Sequence, residues 1–139
     1  MRSACFLDTN ILIYAALGKQ DDPRKYEVAK RIVAGERFGL SAQVLAEFYV
    51  GVTRKPALSL TAIETDRWMN LLGQFPTVSV DRSLVAAAIS YARRFQIHYY
   101  DAAIVAAAEC VGADVLYTED LNHGQRYGTV LVQNPFRGP

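Results

Sequence analysis

Ala4-Cys5-Phe6-Leu7-Asp8-Thr9-Asn10-Ile11-Leu12-Ile13-Tyr14 decides the architecture. The first four residues are apolar and stop at an acid, as a buried strand does when it reaches the edge of a sheet. Asp8, Thr9 and Asn10 are all types that favour a helix N-cap, and the apolar run at 11–17 closes at Gly18. The stretch therefore reads as strand, turn and helix. It leaves a carboxylate at the carboxyl end of a strand, where open α/β sheets build their sites.

The same alternation continues along the chain. Residues 19–23 read as a polar loop. Residues 25–36 have helical spacing, with Val28, Ile32 and Val33 on one stripe. A short strand at 38–40 leads to Ser41, which caps a helix over 42–53, and Pro56 bars its continuation. Thr61 with Glu64 forms a capping box for a helix over 61–75, ended by Pro76. A strand at 77–80 follows, then Asp81 capping a helix over 83–95, a helix over 99–111 stopped by Gly112, and strands at 114–117 and 130–132. Strands alternating with helices predict an α/β fold around a central, mainly parallel sheet.

With 139 residues, 51% hydrophobic and 21% charged, the chain reads as one domain over 1–139 with a substantial core. The net charge of +1 and pI near 7.8 give no basic excess, so contact with nucleic acid needs a local patch or metal ions. Cys5 and Cys110 each sit in an apolar run and read as buried thiols. Charges at Arg2 and Asp8 come too early for a signal peptide, and the apolar runs at 84–89 and 102–108 fall short of the roughly 20 residues of a membrane span. A cytoplasmic protein is the expectation.

Acids stand alone where the chain is apolar. Asp8 is the only charged residue between Arg2 and Lys19, Glu47 between Arg37 and Arg54, and Asp101 between Arg94 and Glu109, with His98 neutral. Burying an unpaired charge costs several kcal/mol, so each needs a partner. Helix capping is the plain alternative for Asp8 and Asp101, and a solvent-facing helix position for Glu47. Asp120 follows a strand in a polar loop, where acids are common. Taken together, the four make an all-oxygen set suited to Mg²⁺ or Mn²⁺ rather than zinc. Two carboxylates about 5 Å apart repel by roughly 3 kcal/mol at an effective dielectric near 20, and a divalent cation reverses that sign. The chemistry such a set serves is phosphodiester hydrolysis by activated water.

Phe6-Leu7-Asp8-Thr9-Asn10-Ile11-Leu12 resembles the opening of PIN domains. Leu45-Ala46-Glu47-Phe48, preceded by Ser41, is similar to their second acidic motif. Tyr100-Asp101-Ala102-Ala103-Ile104-Val105-Ala106-Ala107-Ala108 is similar to the third, Thr118-Glu119-Asp120-Leu121 to the fourth, and Val132-Gln133-Asn134-Pro135-Phe136 to the chain ends of one bacterial subgroup. Asp120 fits the family's Thr-x-Asp spacing better than Glu119. The resemblance implies a Rossmann-like α/β/α sandwich and RNA cleavage dependent on Mg²⁺ or Mn²⁺. It places Asp8, Glu47, Asp101 and Asp120 at the catalytic and metal centre. Thr9, Asn10, Ser41 and Thr118 are the expected donors that orient those carboxylates. Among such proteins the chain looks most like VapC toxins, which are homodimers held inactive by a cognate antitoxin.

Other readings are weaker. A phospho-receiver domain needs a lysine after a late strand, and none follows Lys55. A haloacid-dehalogenase phosphatase needs an acid where Asn10 stands, and an inactive PIN-like binding module sits poorly with four retained acids. His98 reads as structural, and His123 as a loop residue near Asp120. Lys19, Arg24, Lys25, Arg54, Lys55, Arg93, Arg94 and Arg126 are candidate contacts to an RNA backbone. The apolar surplus at 48–52 and 68–72 suggests a dimer face, with Trp68 and Met69 in packing roles.

Overall fold

The strand read at 4–7 is β1, Cys5–Leu7, and its three side chains are all buried. The computed structural model describes residues 3–138. Met1 and Arg2, on which the reading of the amino terminus rests, lie outside them. The chain continues through α1 (Thr9–Asp21), α2 (Pro23–Gly35), β2 (Phe38–Ser41), α3 (Ala42–Thr53) and α4 (Ala62–Leu72). It then forms β3 (Thr77–Val78), α5 (Arg82–Phe95), α6 (Tyr99–Cys110), β4 (Val115–Tyr117), β5 (Arg126–Tyr127) and β6 (Val130–Gln133).

These strands make one sheet in the order β3-β2-β1-β4-β6-β5. Pairing is parallel throughout except for β5 on β6. The mainly parallel α/β sheet expected from the alternation, and the sandwich implied by the resemblance, are the fold observed. From β1 the chain winds outward to β2 and β3, then crosses back so that β4 lies on the other side of β1. Right-handed crossovers put α1–α4 on one face and α5–α6 on the opposite face. The reversal leaves a crevice between the carboxyl ends of β1 and β4, the usual ligand position in such sheets.

Phe6, Leu7, Ile11, Leu12, Phe38, Phe48 and Leu116 fill the core and are essentially inaccessible. Gly51 lets α3 lie close to α1, because a side chain there would run into Ile13. Thr61 and Glu64 form the expected capping box.

Two local expectations need correction, the capping alternative for Asp101 falls away, and one hairpin is new. Residues 19–23 are not a loop: α1 runs to Asp21, and Asp22 caps α2 through the Lys25 amide with Pro23 in the first turn. That Asp-Pro pair is a helix start, since proline's fixed φ and missing N–H suit the first helical position. Cys110 is exposed at the end of α6, whereas Cys5 is buried, and both are free thiols. Asp101 does not cap α6; His98 does, its Nδ1 accepting from the Tyr100 amide at 3.2 Å. The β5–β6 hairpin was not foreseen. Its two-residue turn has Gly128 at φ 63, and Glu109 on α6 accepts from Thr129 and Tyr91 behind it.

Candidate functional site

Asp8 leaves the end of β1 and caps α1, so its carboxylate is fixed by the backbone that follows it. Its Oδ1 accepts from the Thr9 amide at 2.7 Å, and its Oδ2 accepts from the Thr118 hydroxyl at 2.7 Å. Capping and clustering are therefore both true of Asp8. Only 6% of the residue is exposed. Burial is the main force that pushes its carboxyl up to about 6; the bonds from Thr118 and Thr9 pull it down, and repulsion from Asp120 and Glu47 adds to the rise.

Ser41, buried at the end of β2, caps α3 through the Val44 amide. It thereby sets the helix that carries Glu47 and does not itself touch a carboxylate. Thr9 Oγ1 donates to Glu47 Oε1 at 2.8 Å, bridging α1 and α3. Gln43, one turn before Glu47, reaches across to the Tyr100 carbonyl on α6 at 3.3 Å. Asp101 stands in the first turn of α6, where a helix's positive end favours an anion. Its carboxyl is nonetheless raised, first by burial and then by Asp120 and Glu47, with His98 opposing.

Asp120 follows β4. Thr118 is fully buried and accepts from the Asp120 amide at 3.1 Å while donating to Asp8. Asn10 Nδ2 donates to Asp120 at 3.1 Å and makes longer contacts with Asp8 and Thr118. The Asn10 Oδ1 is buried without a partner. Glu119, the other acid of this loop, turns away and accepts from Tyr14 and from Lys25, each at 2.8 Å.

Asp8, Thr9, Asn10, Gln43, Glu47, Tyr100, Asp101 and Asp120 thus line one cleft of about 240 Å³ over the β1–β4 crevice. A larger cleft of about 660 Å³ lies at the β3 edge, but its acids are committed, Asp81 to the Leu84 amide and Glu109 to Tyr91 and Thr129. Four acids from four parts of the chain, Asp8, Glu47, Asp101 and Asp120, converge on the smaller cleft, which makes it the candidate site. Gln43 and Tyr100 were not singled out in the sequence. Their signal is spacing: Gln43 lies one turn from Glu47, and Tyr100 precedes Asp101.

The donors suit a hard divalent cation. They are all oxygens, they repel one another, and a buried amide oxygen on Asn10 lacks a partner. Among the described residues, no three acidic, histidine or cysteine side chains already close around a common point. His123 accepts from the Asn134 amide and plays no part in the cleft lining. Of the candidate RNA contacts, Arg24 is spent on the Phe136 carbonyl and Lys25 on Glu119.

The PIN domain model matches residues 5–128 of this chain. No curated protein matches it in sequence. Solved structures share the fold at low identity. A toxin–antitoxin complex from Klebsiella pneumoniae is 20% identical with a TM-score of 0.69, covering 96% of this chain and 98% of that one. The sarcin–ricin-loop-cleaving toxin VapC20 of Mycobacterium tuberculosis is 20% identical with a TM-score of 0.66, covering 84% and 89%. VapBC2 of Rickettsia felis, bound to a DNA fragment from its promoter, is 18% identical with a TM-score of 0.65, covering 94% and 97%.

Proposed function

The chain belongs to the PIN-domain family, and on that premise we propose that it is a metal-dependent endoribonuclease, the toxin of a type II toxin–antitoxin pair. The observation that carries this reading is the convergence of Asp8, Glu47, Asp101 and Asp120 on one cleft at the β1–β4 crevice. These four would hold Mg²⁺ or Mn²⁺. When bound, such a cation activates water and steadies charge on a phosphate oxygen.

The chain's own residues do the positioning. Thr9 holds Glu47, Thr118 holds Asp8, and Asn10 holds Asp120. No Ser–His–Asp or Cys–His set lines the cleft, Thr9 is engaged with Glu47, and the carboxylates are the cation's proposed ligands, which favours activated water over a side chain as the nucleophile. Tyr100, 57% exposed on the rim beside Asp101, offers a face on which an unpaired base stacks. That favours RNA loops, the substrate type of the VapC20 relative. Exposed Tyr49, Val50 and Leu71 supply apolar surface for a second copy or for the antitoxin. Among the described residues no helix is long and apolar enough to cross a membrane; action on cytoplasmic RNA as a single domain is part of this proposal.

The test incubates purified protein and Mg²⁺ with labelled structured RNAs and with DNA strands of the same sequences. Cleavage confined to RNA is expected. Cleavage of DNA alone would replace the substrate assignment.

A further inference from the structure

Glu119 and Asp120 are neighbours in sequence, yet the fold sends them to different places. Asp120 lines the acidic cleft, and Glu119 turns to the α1–α2 side. There Lys25 Nζ meets Glu119 at 2.8 Å and donates to the Tyr14 hydroxyl at 3.2 Å. The same ammonium lies 4.8 Å from the centre of the Tyr14 ring and 5.4 Å from that of Phe136. Those two rings meet edge to face at 5.0 Å, and Phe136 is buried. One cation therefore joins α1, α2, the loop after β4 and the carboxyl-terminal segment through a carboxylate, a phenol and two aromatic faces.

On the cleft side the loop is held only lightly, by the Asp120 amide on Thr118 Oγ1 and by Asn10 on the Asp120 carboxylate, each at 3.1 Å. Because Glu119 and Asp120 share a peptide unit, anchoring one restricts where the other points. From these contacts we infer that Lys25 is a positioning residue for Asp120. Its grip on Glu119 keeps that acid out of the cleft and aims Asp120 into it.

Positioning and simple electrostatics predict opposite signs for cation binding. Lys25 is a positive charge near an acidic cleft, so by charge alone its removal strengthens cation binding. If it aims a ligand, its removal weakens binding, as loss of an orienting partner does. This readout rests on the metal reading proposed above; amide exchange in metal-free protein does not.

The experiment compares wild type, Lys25→Met, Lys25→Arg, Glu119→Gln and the Lys25→Met/Glu119→Gln double variant. Amide exchange at 118–122 should speed up roughly tenfold in Lys25→Met and in Glu119→Gln, and stay closer to wild type in Lys25→Arg. Mn²⁺ affinity by calorimetry should fall roughly tenfold in either single variant, with no further fall in the double variant. Unchanged exchange, or tighter Mn²⁺ binding in Lys25→Met, overturns the inference. If Lys25→Met unfolds, Glu119→Gln carries the exchange readout, since it leaves the Lys25 aromatic contacts in place; unchanged exchange in Glu119→Gln then overturns the inference. Faster exchange in a protein whose wild type binds no Mn²⁺ leaves the tether standing and removes the metal site.

Discussion

The Thr118 hydroxyl donates to Asp8 Oδ2 at 2.7 Å, tying the end of β4 to the end of β1 across 110 residues of chain. The same oxygen accepts from the Asp120 amide. One fully buried hydroxyl thus sets the spacing of two acids at the point where the sheet changes winding direction. Thr118→Val keeps the shape and removes both bonds. It should destabilise the protein by about 1–3 kcal/mol in urea titration at pH 8, while Thr118→Ser keeps most of the stability. Equal midpoints for wild type and Thr118→Val would show that the bonds do not hold the crevice.

Asp8 ties stability to pH. Its carboxyl titrates at about 6 in the fold against an ordinary value of 3.8. Between those values the folded chain keeps a proton that the unfolded chain has released, so this group's stabilising contribution is present below 3.8 and lost as pH rises through 6. Without metal, the stability of Asp8→Asn relative to wild type should rise by up to about 3 kcal/mol between pH 4 and pH 7.5. Saturating Mn²⁺ at pH 7.5 should recover stability in wild type and much less in the variant. A pH-independent difference between the two proteins would contradict the burial argument.

How much of this was legible in sequence follows from where the deciding interactions lie. Asp8 could be read because isolation among Phe6, Leu7 and Ile11 is a local pattern, and the Thr61–Glu64 capping box is local too. Residues 19–23 misled because polarity outweighed the Asp22-Pro23 start signal. Cys110 misled because its apolar neighbours face inward while it faces out at the last turn of α6. The β5–β6 hairpin had a short signal, Gly128-Thr129 between Tyr127 and Val130, too brief to stand out without its tertiary support. Glu119 and Asp120 are separated in the sequence only by the Thr-x-Asp spacing of the resemblance; in the fold, Tyr14 and Lys25 take Glu119 and leave Asp120 to the cleft.

Gly128 offers a check that leaves the acidic cleft alone. Its φ is 63, and a side chain there would strike the Tyr91 hydroxyl and Glu109 Oε2. Gly128→Ala should cost at least about 1–2 kcal/mol, seen as a lower melting temperature, with Mn²⁺ binding unchanged. A variant as stable as wild type would mean that the hairpin turn differs from the one described.

Tyr100 should matter to substrate and not to metal. Tyr100→Ala removes a stacking face worth about 1–3 kcal/mol per base, so KM for a cleaved RNA should rise roughly tenfold, with Tyr100→Phe close to wild type. Mn²⁺ affinity should stay constant in both. A kcat loss at constant KM would point instead to disturbance of Asp101.

RNA cleavage by Asp101→Asn, compared with wild type in EDTA, tests the central claim most directly. His98 caps α6, so the substitution removes a charge without removing the cap, and the melting temperature should hold. Purified wild type, free of antitoxin, should cleave at least one RNA in a panel of labelled transfer RNAs and ribosomal loops when Mn²⁺ is present. EDTA should stop the reaction, renewed Mn²⁺ should restore it, and folded Asp101→Asn should be inactive throughout. Cleavage that persists in EDTA and in Asp101→Asn alike would contradict a metal-dependent nuclease built on these four acids.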